Sequence, residues 1–590
     1  MADETVTTVI ERTGGVPLFV EELTRALLES GDAKPSERDI PVTLHDSLMA
    51  RLDRLGPAKE VAQVGAVLGR EFSYELLRAV HPIADEQLQH ALGTLADAEL
   101  LYVRGIAPEA TYQFKHALIR DAAYEALLKS RRKELHRVVA RTIDGQFPSI
   151  RETHPEVLAR HWTEAGETER AIAEWSRAGE AAQARNAFKE ALDSYQQALT
   201  LLNVLPESPE RNNRELQLRR LVVSTLNATK GYAAPETIAA IEEALPLAEK
   251  SGDITQLITW LSSKAAAGLV GGDLSGAGAL ADRILELAPR AQGGSINLGQ
   301  TYQTQIITRQ YRGDLAGAER HFSAWLAFFG DRRLQPPPPI AVNTFFFAGR
   351  NAWLLGRADV ARERDSRMVA SVKGRTPFDI ANSEYCGASL EVYMGNYKRA
   401  ETRSLHALEL AKKYEFPNPA IRARASLGSA LAHMGRATEG VALIRQAIAG
   451  MREIGSRMGI TITTTELAEA QGLEGAVEDA LETAELALRA HPEEVVHRPE
   501  TLRIRGELRL KQEQIELGEI DFREAITLAQ RMSAKSWELR ATTSLARLLR
   551  DTGRRDEART MLAEIYNWFT EGFDTADLKE AKALLNELGS

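Results

Sequence analysis

A chain of 590 residues, 44% hydrophobic and 26% charged, has the composition of a folded protein and the length of three or more domains unless a repeat array absorbs it. Its net charge of −10 speaks against a broad nucleic-acid-binding surface, and its single cysteine, Cys386, excludes an internal disulfide or a cysteine-based zinc site and points to a reducing, cytoplasmic setting. The first residues lack the basic-then-apolar pattern of a secretory signal, and no uncharged apolar run approaches the ~20 residues a membrane helix needs.

Residues 1–31 read as helix, tight turn and helix, with Pro17 in the first turn of the second helix, where its missing N–H has no intrahelical duty. DAKPSERDIP is then a polar linker. Residues 41–145 predict a compact unit of four amphipathic helices, LHDSLMARLDRL, AKEVAQVGAVLG, SYELLRAV and DEQLQHALGTLADAEL, followed by two short strands in LLYVRG and TYQFKHAL. Helices followed by a hairpin suggest a winged helix. A duplex reader would present Lys or Arg from the helix before the wing, yet Asp85 to Leu101 carries Asp85, Glu86, Asp97 and Glu99 and neither basic residue. A rigid adaptor is the better reading, and the basic run Lys129 to Arg141 reads as a solvated helix face.

From residue 155 a helical hairpin recurs. A small residue is followed at i+4 by a larger one and at i+7 by another small or apolar one. The series reads Ala318-Phe322-Trp325, Ala400-Ser404-Ala407, Gly440-Ile444-Ala447, Ala480-Ala484-Ala487, Gly518-Phe522-Ala525 and Ala558-Leu562-Ile565. Starting positions after Ala400 step by 40, 40, 38 and 40, and Ala318 to Ala400 is 82, or two units of 41. These positions lie along one helix stripe, where a second helix can pack closely. Gly313, Gly395, Gly435 and Gly553 stand upstream, each placed to end a helix with positive φ. No single pair buries its stripe, so neighbours must stack into a solenoid.

The array resembles the tetratricopeptide repeat (TPR) family, whose small-aromatic-small pattern is matched by Ala171-Trp175-Ala178 and Ala191-Tyr195-Ala198. The expected fold is mainly α: a TPR-like α-solenoid, in blocks 155–335 and 340–590, preceded by the winged-helix-like domain. GGDLSGAGAL lacks the strand and lysine of a phosphate loop and reads as a turn with close helix packing. Pro336 to Pro339 predicts an extended spacer rather than helix. The last helix, after Asp574-Thr575-Ala576-Asp577, has one apolar side and suits a terminal cap.

A second resemblance concerns the ends. Gly14-Gly15-Val16-Pro17-Leu18-Phe19-Val20-Glu21-Glu22-Leu23 looks like the lid of STAND-type signal-transduction ATPases, and the tail looks like the end of bacterial proteins joining a class III adenylate/guanylate cyclase, an AAA-like ATPase and TPR repeats. The resemblance implies that Pro17 faces adenine. No G-x-x-x-x-G-K-[ST] occurs, so residues 1–40 are expected to be a lid remnant, with no cofactor.

Twelve histidines are scattered without a metal-binding spacing, and no G-x-S-x-G elbow occurs, so neither catalytic nor metal residues are expected. The aromatic centre of the array, with Arg309, Arg312, Arg320 and Arg350, is the candidate groove for an acidic or aromatic peptide. The expected function is non-catalytic: a regulatory module holding a protein partner on the concave face, without nucleic acid or membrane. The alternatives are an ATPase-TPR transcriptional regulator, or a chain classed as adenylate cyclase by family.

Overall fold

A computed structural model describes residues 43–291, 296–331 and 338–589, together with 20, 21 and 24. Pro17 and most of the lid phrase lie outside the described residues. The chain divides into two compact units, Met1–Thr225 and Leu226–Ser590. The division falls within a helix of the array and not at the proline run near 336.

The first unit opens with α1 (Leu44–Arg54) and α2 (Pro57–Leu68), then β1 (Glu71–Ser73), α3 (Tyr74–Val80), α4 (Asp85–Asp97), β2 (Leu101–Arg104) and β3 (Thr111–Phe114). The four helices and two strands read from the sequence are all present. A third strand, β1, is added, and the antiparallel sheet runs β1-β3-β2, with Phe72 and Val103 both opposite Tyr112. At three residues β1 is too short to show a period in sequence. Gly65 admits it to the core: a Cβ there would stand 2.8 Å from the Phe72 ring. After α5 (Ala117–Glu125), α6 (Lys129–Gln146) and α7 (Pro148–Thr153), the helices α8 (Pro155–Ala165), α9 (Thr168–Ala184) and α10 (Phe188–Leu202) pack as consecutive antiparallel neighbours. Lys129, Arg131, Lys133 and Arg141 of α6 are exposed, while its Leu135, Val139, Ala140 and Ile143 are buried.

Helix α11 (Pro209–Thr229) crosses the division, and α12 (Pro235–Lys250) follows. Hairpins then succeed one another: α13/α14 (Ile254–Gly271, Leu274–Leu287), α15/α16 (Ile296–Tyr311, Leu315–Asp331), α17/α18 (Pro338–Leu354, Ala358–Ser371) and α19/α20 (Pro377–Tyr393, Tyr397–Tyr414). They continue with α21/α22 (Pro417–His433, Ala437–Glu453), α23/α24 (Ile460–Glu474, Val477–Ala490), α25/α26 (Arg498–Lys511, Ile515–Arg531) and α27/α28 (Lys535–Asp551, Arg555–Trp568), and α29 (Ala576–Gly589) closes the row. This is a mainly α, TPR-like solenoid. The small-large-small stripes all lie on second helices and are buried, Ala318, Ala400, Ala480 and Ala558 completely. At Gly428 and Gly440 two backbones meet: a Cβ on Gly440 would stand 2.4 Å from the Gly428 carbonyl oxygen.

The proline expectation needs correction. Pro338 opens α17, so at least the end of the run is helical, because the first helical turn needs no N–H donor and proline's fixed φ suits it. Pro336 and Pro337 lie outside the described residues.

First helices touch the first helices of neighbouring hairpins from α13 through α29, whereas second helices pack within their hairpin and against the next first helix. The first helices therefore form the inner, concave wall. The wall also closes on itself. The N–H groups of Arg457 and Met458 donate to the Val270 carbonyl at 2.9 and 3.2 Å, Ser275 N–H donates to Glu493 at 3.1 Å, and Asp359 N–H donates to Glu571 at 2.9 Å. The last two pairs are 218 and 212 residues apart, about five and a half hairpins. Successive superhelical turns thus rest on each other. Met532 covers the Gly313 turn and Trp568 with Phe569 covers the Gly356 turn, while no described residue comes within 4 Å of the Cβ position at Gly435, Gly475 or Gly553.

Candidate functional site on the inner wall

Closure of the superhelix buries polar side chains that helical periodicity would place on a surface. Arg350 on α17 is 3% exposed; its Nε and Nη2 donate to Gln310 Oε1 at 2.8 and 2.5 Å. Its guanidinium lies over the rings of Tyr311 and Phe347, at 4.8 Å from each centroid, and of Phe346 at 5.6 Å. No carboxylate lies within 4.0 Å of it among the described residues. Glu494 is in its field, but that carboxylate accepts from the N–H groups of Gly459 (2.8 Å) and Thr461 (3.3 Å) at the start of α23.

Next to it runs a paired layer. Glu469 accepts from Arg503 at 3.1 Å and meets His433 Nε2 at 3.3 Å. Arg503 also binds Glu500 (2.8 Å) and Glu507 (2.7 Å), and Arg540 joins Asp577 (3.0 Å), Glu500 (3.1 Å) and the Tyr393 carbonyl (2.6 Å). The Arg540 guanidinium stacks 5.0 Å over Trp353 and 5.2 Å over Trp537. Burial alone would raise the Glu469 carboxyl, but His433, Arg503 and Arg540 hold it well below the usual range.

Beside this layer stand groups with no partner. Both ring nitrogens of His497, Thr461 Oγ1 and Gln471 Oε1 are buried without a hydrogen-bond partner among the described residues, and the Tyr393 hydroxyl faces the Arg350 guanidinium. His497 packs edge-on to Tyr311 at 5.8 Å, and burial with the Arg350 charge keeps it neutral, well below the ordinary imidazole range. Glu466 on α23 keeps partial exposure, and burial with the Glu469 charge pushes its carboxyl up to about 8 against the opposing pull of Arg350. Strongly shifted, unspent groups in a concavity mark a candidate binding site.

The four arginines read from the sequence do not converge. Arg309 is tied to Asp314 at 3.0 Å, Arg312 is exposed at the hairpin turn, and Arg320 is exposed on second helix α16, outside the inner row. Arg309 and Arg350 both stand on first helices, and Arg350 is core-buried because the Tyr311 and Phe347 rings and Gln310 enclose it. Glu466, Tyr393 and His497 were missed. The usable signal was the acid pair Glu466 and Glu469 in ITITTTELAEAQ, a stretch with no basic residue.

The described residues hold no group of three or more His, Cys, Asp or Glu able to bind a metal. Burial pushes the Cys386 thiol up to about 12, which removes it as a nucleophile at neutral pH. No helix among the described residues is long and apolar enough to cross a membrane.

No family model matches the chain. It is 26% identical over 568 residues to an uncharacterized protein of Rhizobium meliloti (strain 1021), covering 91% of this chain and 54% of the relative, so it spans about half that protein's length. Among solved structures it is similar to Cut9–Hcn1 of the APC/C (TM-score 0.43, 12% identity, 99% of this chain and 98% of that one). It is also similar to Rap protein complexed with competence and sporulation factor (0.38, 11%, 56% and 97%) and to NprR with its cognate peptide NprX (0.36, 16%, 49% and 81%).

Proposed function

We propose that the chain is a non-catalytic interaction module whose inner wall of first helices holds a peptide or domain of a protein partner. The observation that carries this reading is the unbroken inner row from α13 to α29, a long concavity presenting polar groups that the fold leaves unspent. The element order of the first unit, with acidic α4 before the β2/β3 hairpin, supports a winged-helix-like adaptor in 41–145 that does not contact DNA. The finer context, the C-terminal part of a cyclase-linked STAND ATPase with a vestigial Pro17 site, rests on the phrase Gly14 to Leu23 and the tail, and is proposed on those residues.

The experiment is site-specific photocrosslinking in the native host. A photoreactive residue at Tyr385 or Ser389, both partly exposed on inner helix α19, is expected to capture a discrete partner. The same residue at Glu482 or Arg489 on second helix α24 should not. Equal capture from both faces, or from the outer one alone, would refute the concave-face reading. ATP with Mg²⁺ should show no turnover that depends on a residue of this chain.

A further inference from the structure

The stacking of superhelical turns follows one rule. Successive glycine turns are covered by residues at the links that join later hairpins: Gly231 by Ile454, Gly272 by Arg457 and His491, Gly313 by Met532, Gly356 by Trp568 and Phe569, and Gly395 by Ala576. The turns that follow are bare. Gly435, Gly475 and Gly553 have no described residue within 4 Å of the Cβ position, and Glu513, which takes the glycine place in the α25/α26 turn, is exposed.

Two of these bare turns carry apolar side chains into water. At covered turns the residues two before and two after the glycine are buried: Tyr311, Leu354 and Tyr393 before, Leu274, Leu315 and Ala358 after. Leu473 and Ile515 hold the same positions at Gly475 and Glu513, and each is 47% exposed. Acids surround them. Glu474, Glu478, Asp479, Glu513 and Glu516 are exposed and make no ion pair among the described residues. Lys511 ties the two turns together by donating to the Gly472 carbonyl at 2.7 Å.

A surface of opposite charge stands on two earlier links, α18 to α19 and α20 to α21. Phe416 meets Phe378 edge-on at 5.1 Å and Tyr414 in a stack at 5.7 Å, and both Phe378 and Tyr414 are exposed. Lys373, Arg375, Lys412 and Lys413 rim this aromatic group, with Glu415 among them; the four cations are exposed and make no ion pair among the described residues. Later links carry the covering side chains, Trp568 and Phe569 included, so this edge has the composition of a cover.

We propose that the chain associates head to tail, the basic aromatic edge at Phe378, Tyr414 and Phe416 of one copy seating on the acidic turns at Leu473 and Ile515 of the next. The contact repeats between copies the one that Trp568 and Phe569 make over Gly356 within a chain, and the opposite charges orient it. Because edge and turns are different surfaces, the association is heterologous, and each added copy leaves one edge and one set of turns open. Both surfaces stand at hairpin ends and not on the inner wall, so self-association is independent of a partner held there.

The test is sedimentation velocity on the full chain. The wild type should gain mass with concentration, past that of two chains, and should lose the gain in high salt, where exposed charges are screened. An edge variant, Lys413→Glu with Tyr414→Ala, and a turn variant, Leu473→Lys with Glu478→Lys, should each weaken association about tenfold or more. All four side chains are exposed, so thermal melts should match the wild type. Mixed one to one, the two variants should pair and stop at two chains, because the edge variant keeps its turns and the turn variant keeps its edge. Single reversals, Lys412→Glu and Glu474→Lys, give the same pairing without touching an apolar side chain. A wild type that stays monomeric, association that survives either variant or strengthens with salt, or a mixture that stays monomeric or grows past two chains would each overturn the proposal.

Discussion

At the scale of single residues, the clearest consequence of burial lies in the first unit. His136 on α6 and His161 on α8 meet Nδ1 to Nδ1 at 2.8 Å, and the Tyr124 hydroxyl meets His136 Nε2 at 3.0 Å. Burial pushes His136 down to about 4 and His161 to about 3, with Arg160 adding its charge to both. The folded values lie below the unfolded one, so the pair contributes its stability above about pH 6.5 and loses it as the pH falls toward 4. For His136 alone the loss approaches about 3 kcal/mol once the pH has fallen to about 4. Thermal unfolding followed by circular dichroism between pH 7.5 and 4.5 should show a steep fall in Tm for the wild type. A His136→Gln, His161→Asn double variant should show a shallower one. A second residue-scale outcome concerns Glu513, which takes φ 62° in the α25/α26 turn where other hairpins use glycine. Glu513→Gly should raise stability by about 1 kcal/mol in a urea titration, by relieving the left-handed strain. The small residues of the repeating stripes were legible in sequence, since close helix approach needs them wherever the hairpins later sit. Glu466 and Tyr393 were not, since their role depends on neighbours that arrive from other hairpins.

At the scale of elements, the contact between α21 and α22 depends on two glycines facing each other. Gly440→Ala should cost about 1 to 3 kcal/mol through overpacking against the Gly428 carbonyl, a backbone atom that cannot rotate away. The check is a denaturant midpoint moved down with its slope unchanged. Two helices are finished from a distance. Glu493 accepts from the N–H of Ser275 at the start of α14, and Glu571 accepts from the N–H groups of Asp359 and Val360 at the start of α18. Glu571→Ala should cost about 1 kcal/mol, as loss of an N-cap does, and hydrogen exchange at Asp359 and Val360 should quicken first. From α16 to α28 the hairpin period announced six of the seven second helices and passed over one. In α18 the stripe is Ala361-Asp365-Met368, and the central Asp365 disguised it by carrying a charge that is spent on Arg403 at 2.8 Å. Pro338 misled in the same local way, since a proline run forbids a helix interior but permits a helix start.

At the scale of the second unit, stacking of superhelical turns changes how stability should be distributed. In an open solenoid each hairpin answers only to its neighbours. Here the turn at Gly356 is covered by Trp568 and Phe569, and the Trp353 carbonyl accepts from the Ser536 hydroxyl 183 residues later. Removing residues 532–590 should therefore loosen residues 311–360, far off in sequence, more than residues 417–475. Hydrogen exchange read by mass spectrometry would show the difference, and equal protection loss in both segments would contradict the stacked arrangement. The sequence by itself determined that this protein is a row of helix-turn-helix units, because stripe, turn glycine and period are local properties that each unit expresses alone. Only the tertiary structure decided that the row closes upon itself and that Arg350, Tyr393, His497 and Glu466 share one wall. That outcome comes from small rotations between hairpins accumulating over about five and a half units, and no spacing within one unit encodes their sum.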